Sequence, residues 1–232
     1  MRFMISALVA ATFFGASVSA DDDAKAIVEK AIQAKGGTGK SVAVTWKGAG
    51  KFYGMGEGID YTGTWSQHHP DKFRMEINGA FTIVVNGEKG WINAMEMTKE
   101  QLTEQREALH GSWVMNLYPL TDKAFTLALI GASKVDGKDA VGVKVSHKGR
   151  RDVSLYFDKK TFMVLKSEQT VKDDNTGKEV TQESIVKEYM KVGDVQVPSK
   201  MLVNRDGKIF VDGSMSDYKI SDKLPDGTFE KP

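Results

Sequence analysis

Apolar and polar positions along the chain change period twice. Over "DDDAKAIVEKAIQAK" Ala24, Ile27, Val28, Ala31 and Ile32 recur at helical spacing, which predicts an amphipathic helix. Its acidic start suits a helix N-terminus, and Gly36-Gly37 suit its stop. Beyond it the period falls to two. Val42, Val44, Trp46 and Phe52 share one parity, followed by Ile59, Tyr61 and Trp65. In "DKFRMEI" Phe73, Met75 and Ile77 oppose Lys72, Arg74 and Glu76, and "FTIVVNGEKGWINAM" reads as a hairpin with Asn86-Gly87 at its turn. Helical character returns over residues 98–117. Thr98 and Gln101 form a capping box, Leu102, Gln105, Leu109, Trp113 and Leu117 supply the stripe, and Pro119 closes it.

The rest is a run of strands. Turns at Asp136-Gly137, "KGRR", "DKKT", "DDNTGK", Gly193-Asp194 and Asp206-Gly207 separate alternating segments as far as "KIFVDGSMSDYKI". Short connections imply antiparallel pairing of consecutive strands. The expectation is an α+β protein: one large curved antiparallel sheet, a half-barrel of about eleven strands, with helices covering its apolar concave face. No linker divides it, so residues 21–232 read as a single domain.

The alternation also raises the question of cover. Val153, Leu155 and Phe157 oppose Asp152, Ser154 and Tyr156, and Val141, Val143 and Val145 oppose Lys144 and Ser146. Such a sheet wets one face and buries the other. Two helices are a small cover, so either the sheet closes on itself or an apolar groove remains, unless the stripes are simply core.

Composition narrows the function. Of 232 residues 41% are hydrophobic and 27% charged, with a net charge of +1 that offers no broad basic face for nucleic acid. There is no cysteine, which excludes disulfides, Cys-based zinc sites and a Cys nucleophile. Arg2, the apolar run "FMISALVAATFFGA" and the small residues "SVSA" before "DDD" make residues 1–20 a secretory signal peptide, cleaved after Ala20. The exported chain is then periplasmic and soluble.

Candidate chemistry is sparse. "AKGGTGKS" resembles a phosphate loop, but its first glycine position is Ala34. It also follows a helix and precedes a strand, the reverse of what phosphate binding at a helix N-terminus requires. No nucleotide is expected. His68 and His69 are adjacent, so on a strand they point to opposite faces; no metal or other cofactor is expected. No nucleophile elbow or zinc-helix motif occurs, so no catalytic residue is assigned and no enzyme is expected. Trp46, Trp65, Trp91 and Trp113 either pack in the core or line a groove.

The signal peptide and first helix, then "PDKFRMEI", "IVVNGEKGWIN", the helical insert, "LYFDKKTFMVLKSE" and "VGDVQVPSKM", resemble the LolA/LolB-like superfamily of periplasmic lipoprotein carriers and the related sigma-factor regulators of RseB type. The resemblance implies a half-barrel lidded by helices over a cavity for acyl chains. Lipid or lipoprotein acyl chains are then the partners, with membrane-bound donor and acceptor proteins and transfer to the outer membrane. Residues 98–117 are the expected lid. The cavity is expected to involve Trp46, Phe52, Trp65, His69, Phe73, Met75, Ile83, Val85, Trp91, Trp113, Leu117, Val143, Leu155 and Phe157. The carriers have an Arg before the Pro of the segment matching "HHPDKF", where this chain has His69. A second reading is a regulatory module that binds a protein partner, and a third an envelope enzyme without a readable motif.

The leader yields a direct expectation. Mass spectrometry of the chain recovered from a periplasmic extract should find a polypeptide that begins at Asp21. Retention of Met1 would mean an uncleaved anchor instead.

Overall fold

The computed structural model describes residues 20–37, 43–173 and 176–232. Outside them lie residues 1–19 of the expected leader, residues 38–41 of the glycine-rich loop, Val42, and Asp174-Asn175 of one turn. The elements, in order, are α1 (Ala20–Lys35), β1 (Ala43–Phe52), β2 (Ile59–His68), β3 (Lys72–Ile77), β4 (Phe81–Asn86), β5 (Lys89–Ile92) and β6 (Met95–Glu96). Then come α2 (Lys99–Met115), a short 3-10 turn (Tyr118–Thr121), β7 (Phe125–Val135), β8 (Lys138–His147), β9 (Val153–Asp158) and β10 (Val164–Lys172). The last strands are β11 (Glu179–Val192), β12 (Val195–Arg205) and β13 (Lys208–Ser221).

The strands form one 13-stranded antiparallel sheet in the order β6-β5-β4-β3-β2-β1-β13-β12-β11-β10-β9-β8-β7. The expected curved sheet is present, with thirteen strands where about eleven were expected; β5 is the second arm of the expected hairpin, and β6 is only two residues long, too short for a period to register. Every neighbour follows in sequence except β1 and β13, which join along the whole of β1 from Ala43↔Ser221 to Phe52↔Val211. The sheet does not close. Its free edges are β6 and β7, and the chain between them is α2 and the 3-10 turn.

Local chemistry sets the boundaries. Asp136 and Gly137 both hold positive φ, as a two-residue turn closing the Val135↔Lys138 pair demands. Thr98 caps α2 as the capping box predicts: its hydroxyl accepts from the Gln101 N–H at 3.2 Å, and the Gln101 side chain accepts from the Thr98 N–H at 2.9 Å.

The helices fill the concave side in two places. Ala24, Val28, Ala31 and Ile32 of α1 join Val143, Val145, Val153, Leu155 and Phe157 of β8 and β9 in the larger core. The small side chains of Ala24 and Ala31 let the helix approach closely. Leu109 of α2 joins Ile83 and Val85 of β4, with Phe73, Met75, Ile92 and Leu102 around them. Thus α2 is wedged between two arms of the sheet. This is why His110, Gly111 and Val114 are buried beside the predicted Leu109.

Phe157 is fully buried in the larger core, whereas Ile59 is 51% exposed. Phe157→Ala is expected to cost about 3–5 kcal/mol in urea unfolding, and Ile59→Ser to stay within about 0.5 kcal/mol of wild type.

Candidate functional site

Alternation from the buried positions identifies which side chains share the concave face. Trp65 pairs with Met75, Met75 with Ile83, and Trp46 with Trp65. Because Ile83 lies beneath α2, this whole row faces the concave side. The row continues across the β1–β13 seam, where Phe52 pairs with Val211, and on to β12, where Val203 pairs with Val211.

Neither of the two core clusters beneath the helices reaches this central stretch of β12, β13, β1 and β2. Its floor is aromatic and apolar. Trp46 stacks on Trp65, with centroids 6.1 Å apart and planes 11° from parallel, and on Tyr218, at 5.7 Å and 18°. Tyr61 meets Trp65 edge-on at 6.2 Å, and Phe52 meets Phe210 at 5.1 Å. The rings lie down on glycines. A Cβ at Gly48 would stand 2.5 Å from the Trp65 ring, and one at Gly213 2.5 Å from the Tyr61 hydroxyl. Trp46, Phe52, Tyr61, Trp65, Met201, Val203 and Val211 are half-buried, and Ile59 is exposed. The result is an open apolar floor.

The space beneath the helices, by contrast, is nearly full. Among the described residues a small void of about 20 Å³ is bordered by Ala31, Lys35, Met115, Leu117, Met163, Val164, Tyr189 and Pro198. That is room for about one water.

The sequence-derived residues therefore separate. Trp46, Phe52 and Trp65 form the open floor, and Phe73 and Met75 lie at its margin beside α2. Ile83 and Val85 are buried beneath α2, and Leu117, Val143, Leu155 and Phe157 belong to the filled core around α1. Trp113 packs edge-on against Phe125 at 5.6 Å. Trp91 pairs with Val84, not with Ile83, and so stands on the convex side; Ile92 takes the concave position. In "GWI" Gly90 and Ile92 keep the parity of the floor, and Trp91 does not. Sequence reasoning passed over Gly48, Gly213, Met201 and Tyr218, because isolated glycines and a bulge beside Trp46 hide their common face.

A buried polar chain lies between the helices and the sheet. Lys35 Nζ donates to the Asn116 carbonyl oxygen at 3.0 Å and to its side-chain oxygen, and Asn116 Nδ2 lies 2.6 Å from His69 Nε2. The Lys35 ammonium sits 5.0 Å above the Tyr118 ring. Burial pushes Lys35 down to about 7. Burial also pushes His69 down to about 4, helped by the nearby Lys35 charge. The signal for Lys35 was present in the sequence: it continues the apolar stripe of α1, one turn beyond Ala31.

The expected lid, α2, is fastened along one side. Arg151 forks onto Glu104 at 2.6 and 2.8 Å, Arg150 reaches Glu107 at 3.0 Å, and Lys172 pairs with Glu100. The hydrogen bond from Arg151 holds the Glu104 carboxyl below the usual range. "KGRR" is thus a clasp for α2 rather than a solvated turn. On the opposite side Arg106 pairs with Glu88 at 2.8 Å. Farther along α2, His110 lies buried against Phe125 and His147, and burial pushes it down to about 4.

No family model matches the chain, and no curated protein does. The fold is shared with solved structures, among them the following three. A LolA superfamily protein from Nitrosomonas europaea superposes with a TM-score of 0.61 at 16% identity, over 90% of this chain and 97% of that one. A DUF1329 family protein from Desulfovibrio piger gives 0.60 at 14% identity, over 89% and 97%. A putative outer membrane lipoprotein-sorting protein domain from Vibrio parahaemolyticus gives 0.57 at 11%, over 90% and 97%. The fold is the LolA-like half-barrel.

His69 and His110 both have folded-state values near 4, below the ordinary value of 6.5. The unfolded chain therefore binds more protons between those values, so stability falls as pH drops from about 6.5 to 4. His110→Phe should flatten that fall in urea midpoints measured at pH 7, 5.5 and 4.5. An unchanged slope would remove His110 from the account.

Proposed function

We propose that the chain is a non-catalytic periplasmic carrier that holds an acyl chain of a lipid or lipoprotein on the open floor of its half-barrel, for transfer to the outer membrane. Residues 21–232 act as one ligand-binding unit. The observation that carries this reading is the aromatic and apolar floor around Trp46, Trp65, Phe52 and Val203, which neither helix covers. A soluble protein rarely leaves such a surface without use. The likeness of fold to a lipoprotein-sorting domain supports the same reading.

The geometry sets the strength. A fully buried methylene contributes roughly 0.8 kcal/mol, and a chain lying on an open floor buries about half its surface. A long chain then gains on the order of 6 kcal/mol, which corresponds to a dissociation constant of tens of micromolar. A carrier needs that range, because it must release what it holds. Closing α2 further over the chain would tighten the grip, and breaking the Glu104–Arg151 clasp would loosen it.

A fluorescent fatty acid titrated into the leaderless protein should bind in the micromolar range. Trp65→Ala and Met201→Glu should each weaken binding at least fivefold while leaving the melting temperature within a few degrees. Absence of uptake by the wild-type protein would refute the carrier reading.

A further inference from the structure

Lys35 closes the buried stripe of α1, and it is 9% exposed. A lysine in such a place normally meets a carboxylate. Among the described residues no carboxylate pairs with it; its acceptors are both on Asn116. Lysine has only donors, so the Asn116 side-chain oxygen must face Lys35 and the amide nitrogen must face His69. That nitrogen donates to His69 Nε2, which places the ring hydrogen on Nδ1. Among the described residues the buried His69 Nδ1 has no partner, and neither has the buried Tyr118 hydroxyl. Around Lys35, the N–H of His69 and the O–H of Tyr118 are thus buried donors without an acceptor among the described residues.

The place of this cluster in the fold gives it an outlet. Lys35 borders the small void beneath the helices, together with Tyr189 of β11 and Pro198 of β12, which pair across those strands. Along the same two strands Val186 pairs with Met201 and Ser184 with Val203, and these lead onto the open floor. From Pro198 to Val203 the strand advances on the order of 17 Å.

We propose that Lys35 anchors the anionic head, a carboxylate or a phosphate, of a single-chain amphiphile whose tail runs along β11 and β12 to the aromatic floor. This rests on the carrier reading and names its ligand class. The head replaces the Asn116 side-chain oxygen on Lys35, which requires the Asn116 side chain to withdraw and the small void beside Lys35 to widen. Burial alone brings Lys35 down to about 7, so the unliganded site loses its charge just above neutrality and an anion restores it. The other titratable groups that face it are His69 from the end of β2, Tyr118 from the 3-10 turn and Tyr189 from β11. His69 is held neutral, and burial raises both tyrosines. The expected pH dependence is therefore that of Lys35.

The test is calorimetry on the leaderless protein with dodecanoate, dodecyl phosphate and dodecanol, with acetate and inorganic phosphate as chain-free anions. Wild type should bind at least one anionic amphiphile tenfold or more tighter than dodecanol. That preference should fade between pH 6.5 and 8.5. Lys35→Met should abolish the preference and leave the dodecanol affinity unchanged. Lys35→Arg should keep the preference and lose its pH dependence, a check that does not rely on the Met variant folding. Equal binding of all three amphiphiles, or a preference that survives in Lys35→Met, overturns the anchor and leaves the carrier reading intact. Acetate or inorganic phosphate binding as tightly as its amphiphile overturns the link between head and tail. Failure of every amphiphile to bind overturns the carrier reading and the anchor together.

Discussion

A sheet with one apolar face has to cover it, and here the cover is too small. Thirteen strands present a concave surface that two helices share. The helices settle over the two arms: α1 packs into the core built on β8 and β9, and α2 is wedged between that arm and β4. The centre keeps an aromatic surface in contact with water. Everything suggestive of function follows from that shortfall: the ring stack, the glycines that let the rings lie flat, and the polar chain where the helix ends meet the sheet.

Much of this was legible in the sequence, for physical reasons that differ from element to element. The α1 stripe is clear because each of its positions meets one continuous core. The capping box of Thr98 and Gln101 is local and so survives any tertiary context. The stripe of α2 was misread at His110 and Val114, because a helix wedged between two arms buries two faces rather than one. Trp91 was placed on the wrong side because a large aromatic residue dominates a short strand while parity belongs to its neighbour Ile92. Val143, Leu155 and Phe157 have the right face but the wrong surroundings. A period of two identifies the concave side, and it does not say whether a helix sits there.

Polar groups show the same division between local and distant causes. The clasp between Glu104 and Arg151 joins residues 47 apart in sequence, so no motif announces it. The approach of Lys35 to Asn116, 81 residues away, is equally silent. Yet both occur where chemistry required an answer: carboxylates on the flank of a helix near a basic turn, and a lysine on a face otherwise apolar. A residue that breaks a pattern is the better guide to a site than one that obeys it.

The union of β1 with β13 has a bearing on timing. Residues 178 positions apart, Ala43 and Ser221, become partners, so the first strand waits for the last. Loop closure over such a span is slow compared with the hairpins on either side. While the chain is being made, β1 can pair only with β2, and the seam on which Trp46 meets Tyr218 stays open. The central floor is completed only when the C-terminal end emerges. A polypeptide that cannot finish its sheet early stays short of its native stability until its last strand is released.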